Sequence, residues 1–295
     1  MKVNRVRQNV LPLLTALIWG TAFVAQSVGA RYMGPFTFNA LRAVIAFVFL
    51  LCLCAVRRVA QRNIPYASAS WKDLAVGGFF CGTALAVASA FQQIGLETVS
   101  SGKAGFLTAL YIVLVPVLGL FLRRRAPKAV WFSVALAVAG LYFLCVTEQF
   151  SVTKGDLYLL LCALCFAVQI LVVDHYSQRI DGVSLSCAQF LVMTLLCAPG
   201  ILAEPLPPPE LLMNCLWPVL YVGVFSSGVA YTLQILAQKD SDPAVVSLLL
   251  SMEAVFATLS GAIILHDRMT LREYLGCALM LAAVILAQRP DKRGN

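Results

Sequence analysis

Charge is scarce in this chain. Asp, Glu, Lys and Arg make up 12% of its residues, against about 25% in a soluble globular domain. That shortage excludes an ordinary soluble enzyme. Histidine is scarcer still, with only His175 and His266, so a histidine-built metal site lacks ligands. The phosphate loop G-x-x-x-x-G-K-[ST] is missing. Gly102-Lys-Ala-Gly105 has the wrong spacing, and no strand precedes it. Neither a nucleotide-driven pump nor a cofactor is indicated.

Basic residues outnumber acidic ones, 22 to 14. In a soluble chain that balance would point to nucleic acid. Here the bases fall in short gaps between apolar runs, the pattern of membrane topology, and no nucleic-acid partner is expected. Ten cysteines are present, mostly inside apolar runs. Cys162 and Cys165 form a solitary C-x-x-C with no flanking histidine, so the cysteines read as packing residues.

What the chain has in abundance is apolar length. Hydrophobic residues are 60% of the total. Ten runs, at about 9–29, 36–56, 72–95, 101–122, 128–147, 155–174, 184–203, 214–237, 243–265 and 271–288, each approach the length a spanning helix needs. They are continuous rather than alternating, which excludes a β-barrel reading. The chain therefore reads as an all-α polytopic membrane protein with ten transmembrane helices, surrounded by membrane lipid. Met1–Leu17 has the basic-then-apolar form of a signal peptide. Its apolar run continues through Trp19 and Phe23 to Val28 without an evident cleavage site, so it reads as the first span. With the N-terminus inside, sixteen Lys and Arg fall on the inner side and five on the outer. Both termini are therefore expected in the cytoplasm. The proline-rich stretch Glu204–Glu210 has two acids and no base, as expected of an outer loop.

The two halves, 1–147 and 148–295, resemble each other. Ala16-Leu-Ile-Trp19 aligns with Ala163-Leu-Cys-Phe166, Gln93-Ile94 with Gln234-Ile235, and Ala139-Gly140 with Ala282-Ala283. The same register sets Arg42 opposite Gln189. An odd number of helices per repeat inserts the second half upside down. Two inverted five-helix repeats are an architecture of secondary transporters, with substrate bound between the repeats near the midplane.

Two charges stand deep inside apolar runs. Glu253 interrupts Ala244–Leu265, and Arg42 interrupts Pro35–Val56. A charge at such depth costs roughly 2.5–3.5 kcal/mol on insertion scales, so it needs a partner, water or a function. A carboxyl there can take up and release a proton, which makes Glu253 the candidate for coupling to protons. A permanently paired structural carboxylate is the alternative. Arg42 is a candidate for a substrate carboxylate, for Glu253 itself, or for backbone carbonyls and a phosphate headgroup.

Leu17-Ile-Trp-Gly-Thr-Ala-Phe23, Asn39-Ala-Leu-Arg42, Gly102–Thr108, Tyr111 through Pro116-Val117, Tyr231-Thr-Leu-Gln234 and Ser251-Met-Glu-Ala-Val-Phe256 resemble EamA-type permeases of the drug/metabolite transporter superfamily. The resemblance spans the chain. It implies ten helices in inverted repeats and a bacterial inner-membrane location. It also implies a central cavity lined mainly by helices 1, 3, 4, 6, 8 and 9. The function it implies is export or exchange of small metabolites, amino-acid-like or nucleobase-like. Two departures stand out: Ala254 where the family often has proline, and His266-Asp267 where it often has Gly-Glu.

On those helices the polar and aromatic candidates for the substrate cavity are Trp19 and Gln26, Gln93 beside Gln92, Thr108 and Tyr111, Gln169, Tyr231 and Gln234. Ser247 and Ser251, with Glu253, complete the set on the ninth helix. Each of these residues has an alternative reading as an interhelical hydrogen bond. Pro116 frees a carbonyl within the fourth helix and marks a kink there, as a gate or a fixed bend. Gly78 and Gly82 have the spacing for close helix approach. An intramembrane enzyme acting on lipid-linked substrates would need clustered acids, a metal motif or a Ser/His pairing. A passive facilitator and a homodimer stay open.

Overall fold

An apolar run inside lipid finds no water for its backbone, so each N–H and C=O is satisfied within the segment and the run becomes a helix. A computed structural model describes residues 6–60, 70–99, 101–124, 126–145, 153–205, 208–239, 241–264 and 269–288, and among these every regular element is helical. The elements are α1 (Leu11–Ala30), α2 (Pro35–Ala60), α3 (Trp71–Leu96), α4 (Ser101–Ala109), α5 (Tyr111–Phe121), α6 (Lys128–Cys145) and α7 (Lys154–Ser177). After them come α8 (Gly182–Ile201), α9 (Pro209–Tyr221), a π-helical segment Val222–Ala230, α10 (Tyr231–Gln238), α11 (Pro243–Leu250), α12 (Glu253–Ile264) and α13 (Leu271–Ala287). A π-helical turn, Val6–Val10, leads into α1.

Short polar side chains set the helix starts. Thr153 and Asp156 cap α7 reciprocally, as Thr270 and Glu273 cap α13. Each pair satisfies two otherwise unbonded N–H groups. Asp181 caps α8 and Asp242 caps α11. The helices fall where the ten apolar runs predict them. Eight segments are long and apolar enough to cross a bilayer. α6 and α13 are shorter, at 18 and 17 residues, and pack along each other.

Three of the runs are not single α-helices. The fourth breaks at Leu110, between α4 and α5. The ninth breaks at Ser251 and Met252, between α11 and α12. The eighth passes through the π-helical segment. The break in the fourth run lies six residues before Pro116, and α5 runs through that proline.

α2 packs on α8, α3 on both α7 and α8, and α1 on α12. Gly78 and Gly82 seat α3 on α8 as their spacing predicts. A Cβ at Gly78 would come 2.6 Å from the Ala188 Cβ, and one at Gly82 would come 2.5 Å from the Gln189 carbonyl oxygen. The outer surface of the bundle is apolar, with Phe121, Phe132, Trp217 and Ile263 exposed to the surroundings.

Charged groups gather at the helix ends. Arg57 at the end of α2 pairs with Asp181 at the start of α8, 3.1 Å away. Lys103 and Asp156 join the starts of α4 and α7 at 2.7 Å. Arg124 and Asp174 join the far ends of α5 and α7. Glu204 accepts the N–H groups of Phe36 and Thr37 at 2.9 and 2.8 Å, a carboxylate at the positive end of α2. Lys2, Arg5, Arg62, Arg125, Arg268, Arg289, Lys292 and Arg293, used above for orientation, lie outside the described residues, as does the His266-Asp267 departure.

Candidate functional site

The helix interruptions converge on one central cavity. α1 contributes Trp19, Phe23 and Gln26 to its wall. α2 supplies Arg42 and α3 supplies Gln92. Thr108 ends the α4 side, and Tyr111 opens α5 just past the break. From the other half come Phe166, Gln169 and Ile170 on α7, Ser226 in the π-helical segment, Tyr231 and Gln234 on α10, and Glu253, the first residue of α12. Each half thus provides seven lining residues.

Both mid-depth charges line this cavity and both are buried, Arg42 to 2% exposure and Glu253 to 3%. They do not pair with each other: the ion pairs among the described residues are the three at the helix ends. The Glu253 carboxyl oxygen instead accepts a hydrogen bond from the Tyr111 hydroxyl at 3.2 Å. Arg42 donates through Nη1 to the Gln26 side-chain oxygen at 3.2 Å. Its Nε has no protein acceptor. Each charge therefore leans on one neutral group.

A glutamine chain forms another part of the wall. Gln234 donates to the side-chain oxygens of Gln169 and Gln238, both at 3.1 Å, and Gln238 donates to the Ile170 carbonyl at 2.8 Å. That leaves Gln169 Nε2 and Gln234 Oε1 without protein partners. Both atoms are buried with hydrogen-bonding capacity unused. Trp19 donates through its indole N–H to the Ser226 carbonyl at 3.2 Å and lies 4.8 Å from the Tyr231 ring. Tyr231 is backed by Phe190 at 5.6 Å.

Of the residues expected in the cavity, Trp19, Gln26, Thr108, Tyr111, Gln169, Tyr231, Gln234 and Glu253 lie in its wall. Three do not. Gln93 turns from α3 to donate to the Gln26 backbone carbonyl at 3.3 Å, and its neighbour Gln92 takes the cavity face. Ser247 and Ser251 donate to the Ala244 and Leu248 carbonyls of their own helix, at 2.9 and 2.7 Å, and are fully buried. The residues missed are Phe23, Phe166, Ile170 and Ser226. Phe23 is i+4 from Trp19 and Phe166 is i−3 from Gln169, which was a usable signal, and Ile170 is i+4 from Phe166.

Comparison with known proteins finds the model of the EamA-like transporter family matching twice, over residues 8–146 and 153–288. An uncharacterized transporter of Archaeoglobus fulgidus is 32% identical over 289 residues, covering 96% of this chain and 86% of its own. A WAT1-related chloroplastic protein of Arabidopsis thaliana is 25% identical over 92% of this chain and 67% of its own. A solved crystal structure at 21% identity shares the fold with a TM-score of 0.77, over 95% of this chain and 96% of that one.

Proposed function

The chain belongs to the EamA-like transporter family and is a membrane transporter, and from that premise we propose that it exports or exchanges small polar metabolites, amino-acid-like or nucleobase-like, by alternating access. The observation that carries this reading is the cavity, walled equally by both halves and holding the two mid-depth charges.

Ten helices cross the membrane as two inverted repeats, both termini lie in the cytoplasm, and the membrane is a bacterial inner membrane. Two features support the repeat. Lining residues fall into mates at nearly constant offset: Trp19 with Phe166, Phe23 with Ile170, and Tyr111 with Glu253. The packing pairs also survive exchange of the halves. α1 against α12 matches α7 against α5, and α3 against α8 matches the π-helical segment against α2. Substrate then sits between the repeats, and rocking of one against the other exposes it to each side in turn.

Glu253 is the proton-coupling group in this reading. Among the described residues it is the only acid in the wall, and the hydrogen bond to its carboxyl comes from a neutral hydroxyl, that of Tyr111. Proton uptake and release at this carboxyl links substrate movement to a proton gradient. Extracellular metabolites are compared between cells producing the parent chain and cells producing Glu253→Gln at matched levels. The expected result is at least one metabolite enriched outside only with the parent, while the variant folds normally. Identical profiles for parent, variant and empty cells would sink the export reading.

A further inference from the structure

We infer that Arg42 is an anion-binding residue: the cavity accepts a ligand bearing one negative charge, a carboxylate or similar monoanion, and seats it on this guanidinium. The inference gives the transport reading its ligand chemistry, and rests on that reading only for the claim that the bound anion is cargo.

A guanidinium has five N–H donors and does not shed its charge in a protein. Arg42 sits well inside α2, almost fully buried in the cavity wall. The side-chain acceptor given to it is Gln26 Oε1 at 3.2 Å, and its Nε has no protein partner. A buried charge without a counter-charge is strongly unfavourable. At the helix ends this need is met, because Arg57, Lys103 and Arg124 each face an aspartate. In the cavity it is not met by protein, since Glu253 bonds to Tyr111 rather than to Arg42.

Gln26 is anchored from behind, because its own backbone carbonyl accepts from Gln93. The guanidinium is thus held against the wall with donors to spare. Its planar fork matches a carboxylate. The presence of Glu253 in the same cavity disfavours a second negative charge on the ligand, which selects a monoanion over a dianion. The Trp19 and Tyr231 rings leave an aromatic wall for the ligand's uncharged body.

Trp19 lies in the same wall and can report on this site. The test uses purified full-length protein with Trp71→Phe, Trp131→Phe and Trp217→Phe, none of which lines the cavity. Iodide, a monoanion that quenches indole emission, is titrated at constant ionic strength against sulfate, with neutral acrylamide as the control for access. Saturable iodide quenching is expected, reversed by acetate but not by acetamide. Arg42→Gln should weaken it at least about tenfold, the effect of losing a modest charge-assisted interaction, while Arg42→Lys retains most of it. Acrylamide quenching should not change.

The competition between acetate and acetamide uses no Arg42 variant, so the outcome stands even if Arg42→Gln fails to fold. Linear, unsaturable iodide quenching, indifferent to acetate, would overturn the inference whether or not the chain transports anything. Displacement of iodide by a short-chain anionic phospholipid but not by acetate would place a lipid headgroup on Arg42 and overturn its role in holding cargo.

Discussion

The charges at the helix ends and the charges at mid-depth are handled differently. At the ends, Arg57, Lys103 and Arg124 each meet an aspartate, and Glu204 meets the free N–H groups of α2. At mid-depth, Arg42 and Glu253 meet only Gln26 and Tyr111. The bases of those pairs stay partly exposed, so solvent screens each pair even though Asp156 and Asp174 are themselves buried. Their value is positional: two of them tie α7 to α4 and α5 at both ends. The central charges are far costlier to hold and are left half-satisfied. A fold that needed them only for rigidity would have paired them. Their arrangement fits groups kept available to a ligand and a proton.

The same contrast separates α1 from α7, which are mates in the proposed repeat. α7 is held by ion pairs. α1 has no charged residue and is held by shape, with Gly20 pressed against α12 where Glu253 begins it. A Cβ at Gly20 would lie 2.7 Å from the Glu253 carbonyl oxygen and 2.8 Å from the Ala257 nitrogen, both backbone atoms that cannot rotate away. Gly20→Val should therefore have the largest effect on the fold. Overpacking of this kind costs about 1–3 kcal/mol or more. We expect a clear drop in thermal midpoint in detergent, together with loss of the Glu253-dependent metabolite signal. An unchanged midpoint with full transport would show that α1 and α12 separate freely, and that shape does not hold this side.

Asp156→Asn sharpens the contrast from the other side. Asp156 accepts from Lys103 and from the Thr153 N–H, both at 2.7 Å. Asparagine keeps a capping oxygen but loses the charge. The expected loss is about 1 kcal/mol, read as a lower thermal midpoint, with transport per folded molecule unchanged. Glu253→Gln is expected to do the opposite, sparing the midpoint and removing transport. If Asp156→Asn abolished transport while leaving the midpoint alone, the division between structural ends and a functional centre would fail.

Helix positions were legible in the sequence because run length and caps are local properties. The mid-depth charges were legible because a charge inside twenty apolar residues has few innocent explanations. Side-chain direction was not. Gln92 and Gln93 differ by about 100° around α3, and which one faces the cavity depends on how Gly78 and Gly82 rotate that helix against α8. Ser247 and Ser251 look like cavity donors in sequence, but their hydroxyls are short enough to bond carbonyls one turn back. Pro116 lies within α5, while the break of the fourth run falls at Leu110. There the broken fourth run faces the broken ninth, a tertiary relation no local motif encodes. Phe23 and Phe166 gave no polar signal, and only their helical spacing from Trp19 and Gln169 pointed to the wall.

The smallest effect is expected at the rim, the end of the bundle where α3 finishes and Glu97 feels the charge of Glu204. Glu97 follows the end of α3, and partial burial together with the nearby Glu204 charge holds its carboxyl above the usual glutamate range. A carboxyl raised in the folded state binds its proton more tightly there than in the unfolded chain. Its contribution to stability is then fully present at low pH and declines as pH rises through the ordinary glutamate value and the raised folded one. Glu97→Gln removes that decline. The variant should melt slightly above the parent at neutral pH, and the gap should close on acidification below the ordinary glutamate range. Glu97 is largely exposed, so solvent screening keeps the difference small. A gap that widened with acid would mean that Glu97 is stabilised as an anion, and the rim would then tolerate like charges by a cation not yet identified among its neighbours. A gap that closes confines the unfavourable charge at the rim to one solvent-screened acid, in contrast to the two buried charges at the centre.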